Sequence, residues 1–315
     1  MRKITLASAL VLLAAAPTLA QGGDHSGAPY TVVESGRGFA RLQDAVNAIG
    51  DGMGTIRIAA GEHQDCAVQE RGDVAYVAAT PGAAVLSGVA CEGKGALVLR
   101  GRSARVEGLV FAGIRVSDYN GAGIRIERGN LAVSQAWFRD SQQGILSAGD
   151  PAGTITVDKS TFTRLGTCAG GGGCAHSIYV GDYGALTVTR SRFEAGRGGH
   201  YLKARAARVT ILDNSFDDAA GKATNYMIDL PNGAVGRISG NWLVQGRDKE
   251  NHSAFIAIAA EGRGNSSAGL AISGNVARLG PGVPWRSVFV ADWSGDPLAL
   301  GANQLGEGLT KFERR

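Results

Sequence analysis

Short stretches in which apolar and polar residues alternate recur along most of the chain. Successive side chains of a β-strand point to opposite faces, so each stretch predicts a strand with one buried and one exposed face. In one family of stretches the strand is followed by a polar bend and another apolar residue. Its members are residues 106–111, 131–138, 155–162, 186–193, 209–216, 235–242 and 270–276.

A second family of alternating stretches lies between the members of the first, without intervening helices. The repeat length is roughly two to three dozen residues, which is typical of solenoids. One turn cannot bury its apolar face alone, so the pattern predicts an all-β parallel solenoid with two or three strands per turn. A β-propeller is the main alternative, but its blades would need hairpin signals and a more even spacing. The second family comprises residues 123–126, 144–146, 177–180, 201–204, 227–230, 255–258 and 287–290.

The chain before these repeats carries a helical pattern. Phe39, Leu42, Val46 and Ile49 fall on one face of a helix over residues 39–49, which Gly50 ends. Strand patterns at residues 30–33 and 55–58 flank this helix. Because the open end of a solenoid needs a cap, we expect the helix to cover the N-terminal end.

The composition of the chain is compatible with one exported domain. The 315 residues are 44% hydrophobic, and the 48 glycines are dispersed as turn residues rather than in a collagen period. A signal peptide is predicted over residues 1–20 from Arg2-Lys3, an apolar run and a small-residue cleavage site. We expect a flexible mature N-terminus over residues 21–29 and a single domain over residues 30–315. The absence of a second apolar stretch of spanning length predicts no membrane partner and a periplasmic or extracellular location.

Four cysteines suit an oxidising compartment. Cys168 and Cys174 can close a small loop, and Cys66 and Cys91 lie about one repeat apart, where they could join adjacent coils. Three pairings are possible, and we predict Cys66–Cys91 and Cys168–Cys174. Zinc binding is the alternative, but the spacing lacks the paired C-x-x-C ligands typical of zinc sites.

Several motifs resemble those of the right-handed parallel β-helix of the pectin-lyase-like superfamily. They are the Gly-x-Gly-Phe at residues 36–39, the amphipathic helix, the Gly-Thr-Ile-x-Ile strand at 54–58 and the Asn-x-Phe repeats. Within that superfamily, Lys203 lies in an outward strand position just before such a coil. This position is similar to that of the Lys in the alginate lyase and chondroitinase B group. The resemblance implies a catalytic base at Lys203 with an Arg one coil later. This chain has Asp229 there, and Arg205 could take the charge role.

Aligning the second family by its inward residues brings titratable side chains onto one outer face. Since neighbouring coils are about 4.8 Å apart, Tyr179, Lys203 and Asp229 should occupy consecutive rungs. His176 and His200 each lie two residues before an inward residue, so we expect them to be neighbours. The inward residues are Ile124, Ile145, Ile178, Leu202, Ile228, Ile256 and Val288, and the outward residues that follow them are Arg125, Leu146, Tyr179, Lys203, Asp229, Ala257 and Phe289.

This cluster has the groups that a lyase for acidic polysaccharides needs: a cation for the uronate carboxylate, a base for the C5 proton and an acid for the leaving oxygen. A Lys beside an Arg has its charged form disfavoured, whereas the neighbouring Asp229 favours it. We assign Lys203 or His200 as the base, Arg205 as the cation and Tyr179 as the acid.

The remaining predicted site residues would bind substrate. They are His176, Arg125, Asn232 and His252. We predict no cofactor. Calcium binding stays an alternative, because Asp and Asn side chains supply the oxygen ligands that calcium prefers. The expected partner is an acidic polysaccharide or oligosaccharide, and we expect a monomer. Nucleic acid is not expected, since the basic residues are scattered and no recognition motif is present.

Other hypotheses stay open. Lys203 and Asp229 could form an ordinary cross-strand ion pair. A polyuronide hydrolase needs two carboxylates near one glycosidic bond, and a loop residue such as Asp182, Glu250 or Glu261 could supply the second. A C5-epimerase would share the proton-abstraction step. A non-catalytic glycan-binding solenoid would carry an aromatic stripe along one face, and none is evident.

Overall fold

The computed structural model describes Met1, residues 27–171 and residues 173–315. This part of the chain forms a right-handed parallel β-helix of about nine turns, with three long sheets and one α-helix. The predicted all-β solenoid is confirmed. The predicted signal peptide lies outside the described residues apart from Met1, as do residues 21–26 of the predicted mature N-terminus.

The described strands are grouped here by sheet, in their order along the axis. The first sheet contains Arg37–Phe39, Tyr30–Val32, Met53–Ile58, Asp73–Ala78, Ser103–Glu107, Asn130–Ser134, Asp150–Asp158, Tyr183–Thr189, Arg208–Leu212, Val235–Ser239, Ala271–Ser273 and Ala299–Leu300. The second contains Gly61–His63, Ala84–Ser87, Leu109–Ala112, Trp137–Arg139, Thr161–Thr163, Arg192–Glu194, Ser215–Asp217, Trp242–Gln245, Val276–Leu279 and Gln304–Leu305. The third contains Ala67–Gln69, Gly95–Leu99, Ala122–Ile126, Gln143–Ser147, Ile178–Val180, Leu202–Ala204, Ile228–Leu230, Ala254–Ile258, Ser287–Asp292 and Leu309–Arg314.

The bend between the first and second sheets is stabilised by a ladder of asparagines, of which Asn214, Asn241 and Asn275 are buried. The Nδ2 atom of Asn214 donates to Oδ1 of Asn241 at 3.0 Å, Asn241 donates likewise to Asn275 at 2.9 Å, and Asn275 to Asn303 at 2.9 Å. Each amide thus forms a hydrogen bond with its neighbour, in a position where an unpaired polar group would destabilise the fold. The polar bend of each repeat therefore explains why one predicted segment divides into two strands.

A column of phenylalanines fills the core behind the second sheet. Phe111, Phe138, Phe162, Phe193 and Phe216 are fully buried, and consecutive rings stack with centroids 4.9, 4.9, 4.7 and 4.7 Å apart. These are the apolar residues that follow the polar bend in the sequence repeat. Their stacking joins neighbouring coils and holds the sheets in register.

The α-helix spans Leu42–Ile49 and begins three residues later than predicted. Phe39 lies instead in a strand, where it pairs with Tyr30, and its ring packs against the core from there. The side chain of Gln43 binds the backbone of Val68 in the terminal strand of the third sheet, accepting at 2.7 Å and donating at 3.0 Å. The helix therefore covers the N-terminal end, where an open sheet edge would otherwise be exposed. It is too short to cross a membrane, and no other helix is present among the described residues.

Both predicted disulfides are present. Cys66–Cys91 joins the turns that enter the first two strands of the third sheet, with Cα atoms 5.5 Å apart. Cys168–Cys174 closes the loop between the strands Thr161–Thr163 and Ile178–Val180. The first bond thus links two coils, whereas the second constrains one loop.

One coil near the C-terminal end of the third sheet departs from the predicted alignment. Ile256 pairs with Val290 and Ala257 with Ala291, so the predicted alignment of Val288 and Phe289 in this row is wrong by two residues. Phe289 is fully buried in the core rather than outward. The inward residue of this coil is Val290 rather than Val288, and Phe289 precedes it in the core as Phe255 precedes Ile256 in the coil before.

Candidate active site

The outer face of the third sheet carries the predicted row of side chains. Tyr179 pairs in register with Lys203, and Lys203 pairs with Asp229, so the three lie on consecutive rungs. Arg125 lies on the same row, with Leu146 between it and Tyr179. The parallel register of short strands is therefore sufficient to bring these residues together.

This row borders a groove of about 900 Å³. Six of the predicted site residues line it, namely Arg125, His176, Tyr179, His200, Lys203 and Arg205. Asp229 does not line the groove, because it is 2% exposed and lies against Lys203. Glu250, Asn225 and Glu261 also line the groove. The groove therefore presents both cations and carboxylates to a ligand.

Lys203 lies between two carboxylates. Its Nζ atom is 3.2 Å from Oδ2 of Asp229 and also donates to Oε1 of Glu261. Burial lowers the pKa of Lys203, but the charges and hydrogen bonds of the two carboxylates outweigh burial, and the net pKa is raised. Of the two opposing effects expected from Arg205 and Asp229, that of Asp229 prevails, since Glu261 adds a second negative charge. Lys203 is therefore a cation at neutral pH.

Arg205 is held by three side chains that surround the end of its strand. Its Nε atom donates to the Tyr179 hydroxyl at 3.0 Å, and its two terminal nitrogens donate to Asn232 and to Oε2 of Glu261. The guanidinium also lies 5.9 Å from the Tyr179 ring centroid. Burial opposes the charge of Arg205, but these partners outweigh it and raise its pKa. Asn232 thus belongs to the cluster through Arg205.

The two predicted histidines are neighbours and uncharged. Their ring centroids are 5.0 Å apart, and the backbone N–H of His200 donates to Nδ1 of His176 at 2.9 Å. Burial lowers the pKa of His176 to about 3, and Lys203 adds to this effect. Burial also lowers the pKa of His200 well below its usual value, with His176 and Lys203 contributing. Both imidazoles are therefore neutral bases at physiological pH.

Asp229 connects His200 with Lys203. Its Oδ2 atom is 3.4 Å from Nε2 of His200 as well as 3.2 Å from Lys203, while its Oδ1 atom has no hydrogen-bond partner among the described residues. Burial raises the pKa of Asp229 to about 6, although Lys203 counteracts the rise. An Asp held against an imidazole stabilises the imidazolium that forms when the ring takes a proton.

Two of the predicted substrate-binding residues lie away from this cluster. Arg125 lines the groove three rungs from Lys203, about 14 Å along the axis. Its nearest acidic partner is Glu127, at 3.5 Å. His252 does not line the groove; it is exposed, and its ring stacks on Trp285 with centroids 4.3 Å apart. The turn that carries His252 thus points the ring to another surface.

Two residues of the cluster were not among the predicted catalytic and substrate-binding residues. Tyr226 stacks on His200 with ring centroids 5.5 Å apart, and it lies two residues before the inward Ile228. That is the same offset that identified His176 and His200, so the signal was present. Glu261 was considered only as a possible hydrolytic partner. It projects from the loop after Ala254–Ile258, where no periodic pattern exists to place it.

The described residues offer little to a metal ion. Cys168, Cys174 and Glu250 are the one group of three or more potential ligands close enough to share an ion in this part of the chain. The two sulfurs are bonded to each other, so they are not free thiolates. The carboxylates of Asp229 and Glu261 already bind Lys203.

Comparisons with known proteins show a similarity of fold. The chain is similar to the solved structure of ORF18 of Geobacillus virus E2, with a TM-score of 0.52 and 12% identity over 86% of this chain. That match covers 56% of the viral protein, so this chain spans little more than half its length. A rice weevil pectin methyl esterase matches with a TM-score of 0.49 and 12% identity, over 86% of this chain and 82% of that one. No protein-family profile and no curated protein matches the chain.

Proposed function

We propose that this protein cleaves an acidic, uronate-containing polysaccharide by β-elimination in the groove of the third sheet. One observation carries the proposal: the cations Lys203 and Arg205 border a groove together with a phenol and two neutral imidazoles. The cations suit a uronate carboxylate, whose negative charge increases as the C5 proton leaves. The neutral rings supply groups that can accept and donate protons.

The reaction requires one proton to be removed and one to be returned. A base takes the proton from C5, the electron pair of that C–H bond forms the C4–C5 double bond, and the C4–O bond breaks. The leaving oxygen takes a proton and becomes a new chain end. The products are an unsaturated uronate and a shortened polysaccharide, and neither an oxidant nor a water molecule is consumed.

His200 is the base in this proposal. Lys203 is held as a cation by two carboxylates, so it is poorly suited to accept a proton and acts with Arg205 on the substrate carboxylate. His200 is neutral, and Asp229 lies 3.4 Å from its Nε2 atom. Nε2 of His200 takes the C5 proton, because Nδ1 is buried and has no hydrogen-bond partner among the described residues. The negative charge of Asp229 beside Nε2 stabilises the resulting imidazolium, which compensates for a low resting basicity.

Tyr179 is the acid that protonates the leaving oxygen. Its hydroxyl accepts a 3.0 Å hydrogen bond from Arg205 and keeps its own proton available to donate. A phenolate formed at this position would lie against the guanidinium, which stabilises the negative charge. Arg205 thus serves both the substrate carboxylate and the acid.

We further propose that the protein is exported, on the basis of its disulfides and of the apolar pattern at residues 1–20. Two bonded cysteine pairs are typical of periplasmic or extracellular proteins, where thiols are oxidised. A substrate that is a cell-wall or matrix polysaccharide would be met in the same compartments. The location can be tested by fractionating cells and probing for the processed chain.

The experiment that tests the function measures ultraviolet absorbance of the unsaturated uronate product. Alginate, pectate, glucuronan and glycosaminoglycans are each incubated with the wild type, with Lys203→Ala and with Lys222→Ala. Lys222 is an exposed lysine outside the groove and serves as the matched control. Absorbance that rises with the wild type and the control but not with Lys203→Ala supports the proposal. No rise on any acidic polymer, from a folded protein, contradicts it.

Hydrolysis is the second candidate, and the position of Glu261 favours it. Asp229 and Glu261 both contact the Lys203 ammonium, so their oxygens lie within about 6 Å of each other. Retaining glycosidases hold their carboxyl groups about 5–5.5 Å apart. Against this reading, Asp229 is buried and does not line the groove. New reducing ends without absorbance would indicate hydrolysis, and deuterium uptake at C5 without cleavage would indicate an epimerase.

A further inference from the structure

Glu261 is bound at both of its carboxylate oxygens by the two cations of the groove. Oε1 accepts from Nζ of Lys203, and Oε2 accepts from Nη2 of Arg205. The Glu261 side chain is 45% exposed and lines the groove. The cations hold this carboxylate in the way that they would hold the carboxylate of a uronate.

We propose that Glu261 occupies the subsite for the substrate carboxylate in the free protein, and that a uronate binds by displacing it. Glu261 would then determine specificity, because a ligand must offer a carboxylate to replace the one it removes. This inference rests on the proposed function for the identity of the subsite and for the class of substrate.

The loop geometry allows the side chain to leave without unfolding the loop. The backbone N–H groups of Glu261 and Gly262 donate to the carbonyl of Pro231 at 2.9 and 3.0 Å, and Asn265 N–H donates to the carbonyl of Asn232 at 2.9 Å. These bonds do not involve the Glu261 carboxylate. Rotation of one exposed side chain is therefore enough to free both cations, and such rotations are fast.

Asp229 cannot play the same role, although it also binds Lys203. It is 2% exposed, its Oδ2 atom also approaches His200, and it does not line the groove. Asp229 is therefore a permanent partner of Lys203, whereas Glu261 is an exchangeable one. The two carboxylates differ in exposure and in the element that carries them, since Asp229 lies in the strand Ile228–Leu230 and Glu261 in a loop.

The charges at the site explain why exchange would select for acidic sugars. Lys203 and Arg205 carry two positive charges, and Asp229 and Glu261 carry two negative charges when ionised. Removing Glu261 alone leaves a net positive charge in a partly buried groove, which is unfavourable. A uronate restores the balance, while a neutral sugar does not. A neutral sugar should therefore leave Glu261 in place, and its binding affinity should not increase when Glu261 is removed.

The test measures binding without requiring turnover. Sodium glucuronate and glucose are titrated into the wild type, Glu261→Gln and Glu261→Ala, with Glu194→Gln as the matched control. Glu194 is a partly exposed carboxylate on the second sheet that is also paired with an arginine, Arg192, at 2.6 Å. Thermal unfolding of each variant confirms that it is folded before binding is compared.

We expect both Glu261 variants to bind glucuronate about tenfold more tightly than the wild type, with glucose binding unchanged and Glu194→Gln identical to the wild type. Glucuronate binding that is equal or weaker in both folded Glu261 variants, or absent from them, overturns the inference. A gain of affinity for glucose equal to that for glucuronate also overturns it, because selection for the carboxylate would be lost.

These outcomes are separable from those of the proposed function. Tighter glucuronate binding in the variants, together with no absorbance from any acidic polymer, would retain the carboxylate subsite and reject the lyase. Absorbance from the wild type, together with unchanged glucuronate binding in the variants, would retain the lyase and reject the role of Glu261.

Discussion

The Nε atom of Arg205 donates a hydrogen bond of 3.0 Å to the hydroxyl oxygen of Tyr179. The two residues lie on neighbouring coils, since Tyr179 pairs in register with Lys203 and Arg205 follows two residues later. The stacking of short parallel strands thus places a guanidinium beside a phenol at the edge of the groove. In the proposed lyase this contact couples the leaving-group acid to the cation that binds the substrate.

Tyr179→Phe should lower kcat on the cleaved polymer by about 10²–10⁴-fold, the usual contribution of one general acid. The ring would remain packed edge-on against His176, where the centroids are 5.3 Å apart, so KM should change little. Steady-state absorbance assays give both constants. A decrease in kcat smaller than about twofold would remove Tyr179 from the chemistry.

The pH dependence of the proposed lyase should report Asp229. Burial raises the pKa of this carboxyl to about 6, so it is ionised above that pH and protonated below it. Protonation removes the charge that stabilises the His200 imidazolium, and kcat should therefore fall about tenfold per pH unit below pH 6. His200 does not produce this limb, because its pKa is well below the usual value.

Asp229→Asn supplies the control for the pH profile. The variant should have a low kcat at every pH and should lack the acidic limb near pH 6. If the limb persists in the variant at the same pH, another group produces it, and the assignment to Asp229 is wrong.

The row of side chains on the third sheet was predictable because it depends on two regular features. A strand exposes every second residue, and parallel coils stack in register, so Tyr179, Lys203 and Asp229 follow from the pattern alone. The prediction fails where the inward residue is misidentified. Phe289 was placed outward because Val288 was taken as the inward residue of its coil, whereas Val290 holds that position.

The charge state of Lys203 could not be predicted from the strands. It depends on Glu261, which belongs to a loop held by backbone hydrogen bonds to Pro231 rather than by any repeat. The exposed position of His252 has a similar origin, because its ring stacks on Trp285 from the next turn. Loop contacts of this kind arise from individual hydrogen bonds and ring contacts, which leave no period in the sequence.

A buried ion pair supports the turns beside the site, and its loss should destabilise the fold. Lys249 Nζ lies 3.0 Å from Oδ2 of Asp218, and both side chains are fully buried. Asp218 also accepts hydrogen bonds from Tyr201 and Thr224. Lys249→Met leaves this carboxylate buried without its cation, so the free energy of unfolding should fall by about 3–5 kcal/mol in urea titrations.

Two further variants test that explanation. Lys222→Met changes an exposed lysine in the same region and should alter the free energy of unfolding by no more than about 0.5 kcal/mol. The double variant Asp218→Asn with Lys249→Met removes both charges and should recover part of the loss. A double variant that is less stable than Lys249→Met alone would show that the uncompensated charge is not the cause.

The two disulfides should contribute unequally to stability, because they close loops of different length. Cys66 and Cys91 are 25 residues apart, which corresponds to about 3.5 kcal/mol of restricted unfolded-state entropy, whereas the separation of six between Cys168 and Cys174 corresponds to about 2 kcal/mol. The first bond also joins two coils next to the capping helix. Replacing both cysteines of each pair with alanine should therefore lower the unfolding midpoint more for Cys66–Cys91, as measured by urea titration under oxidising conditions.

In reducing buffer the wild type should lose the stability of both bonds together. An equal or larger effect of the Cys168–Cys174 pair would mean that native packing of its loop, rather than the unfolded chain, determines what each bond contributes.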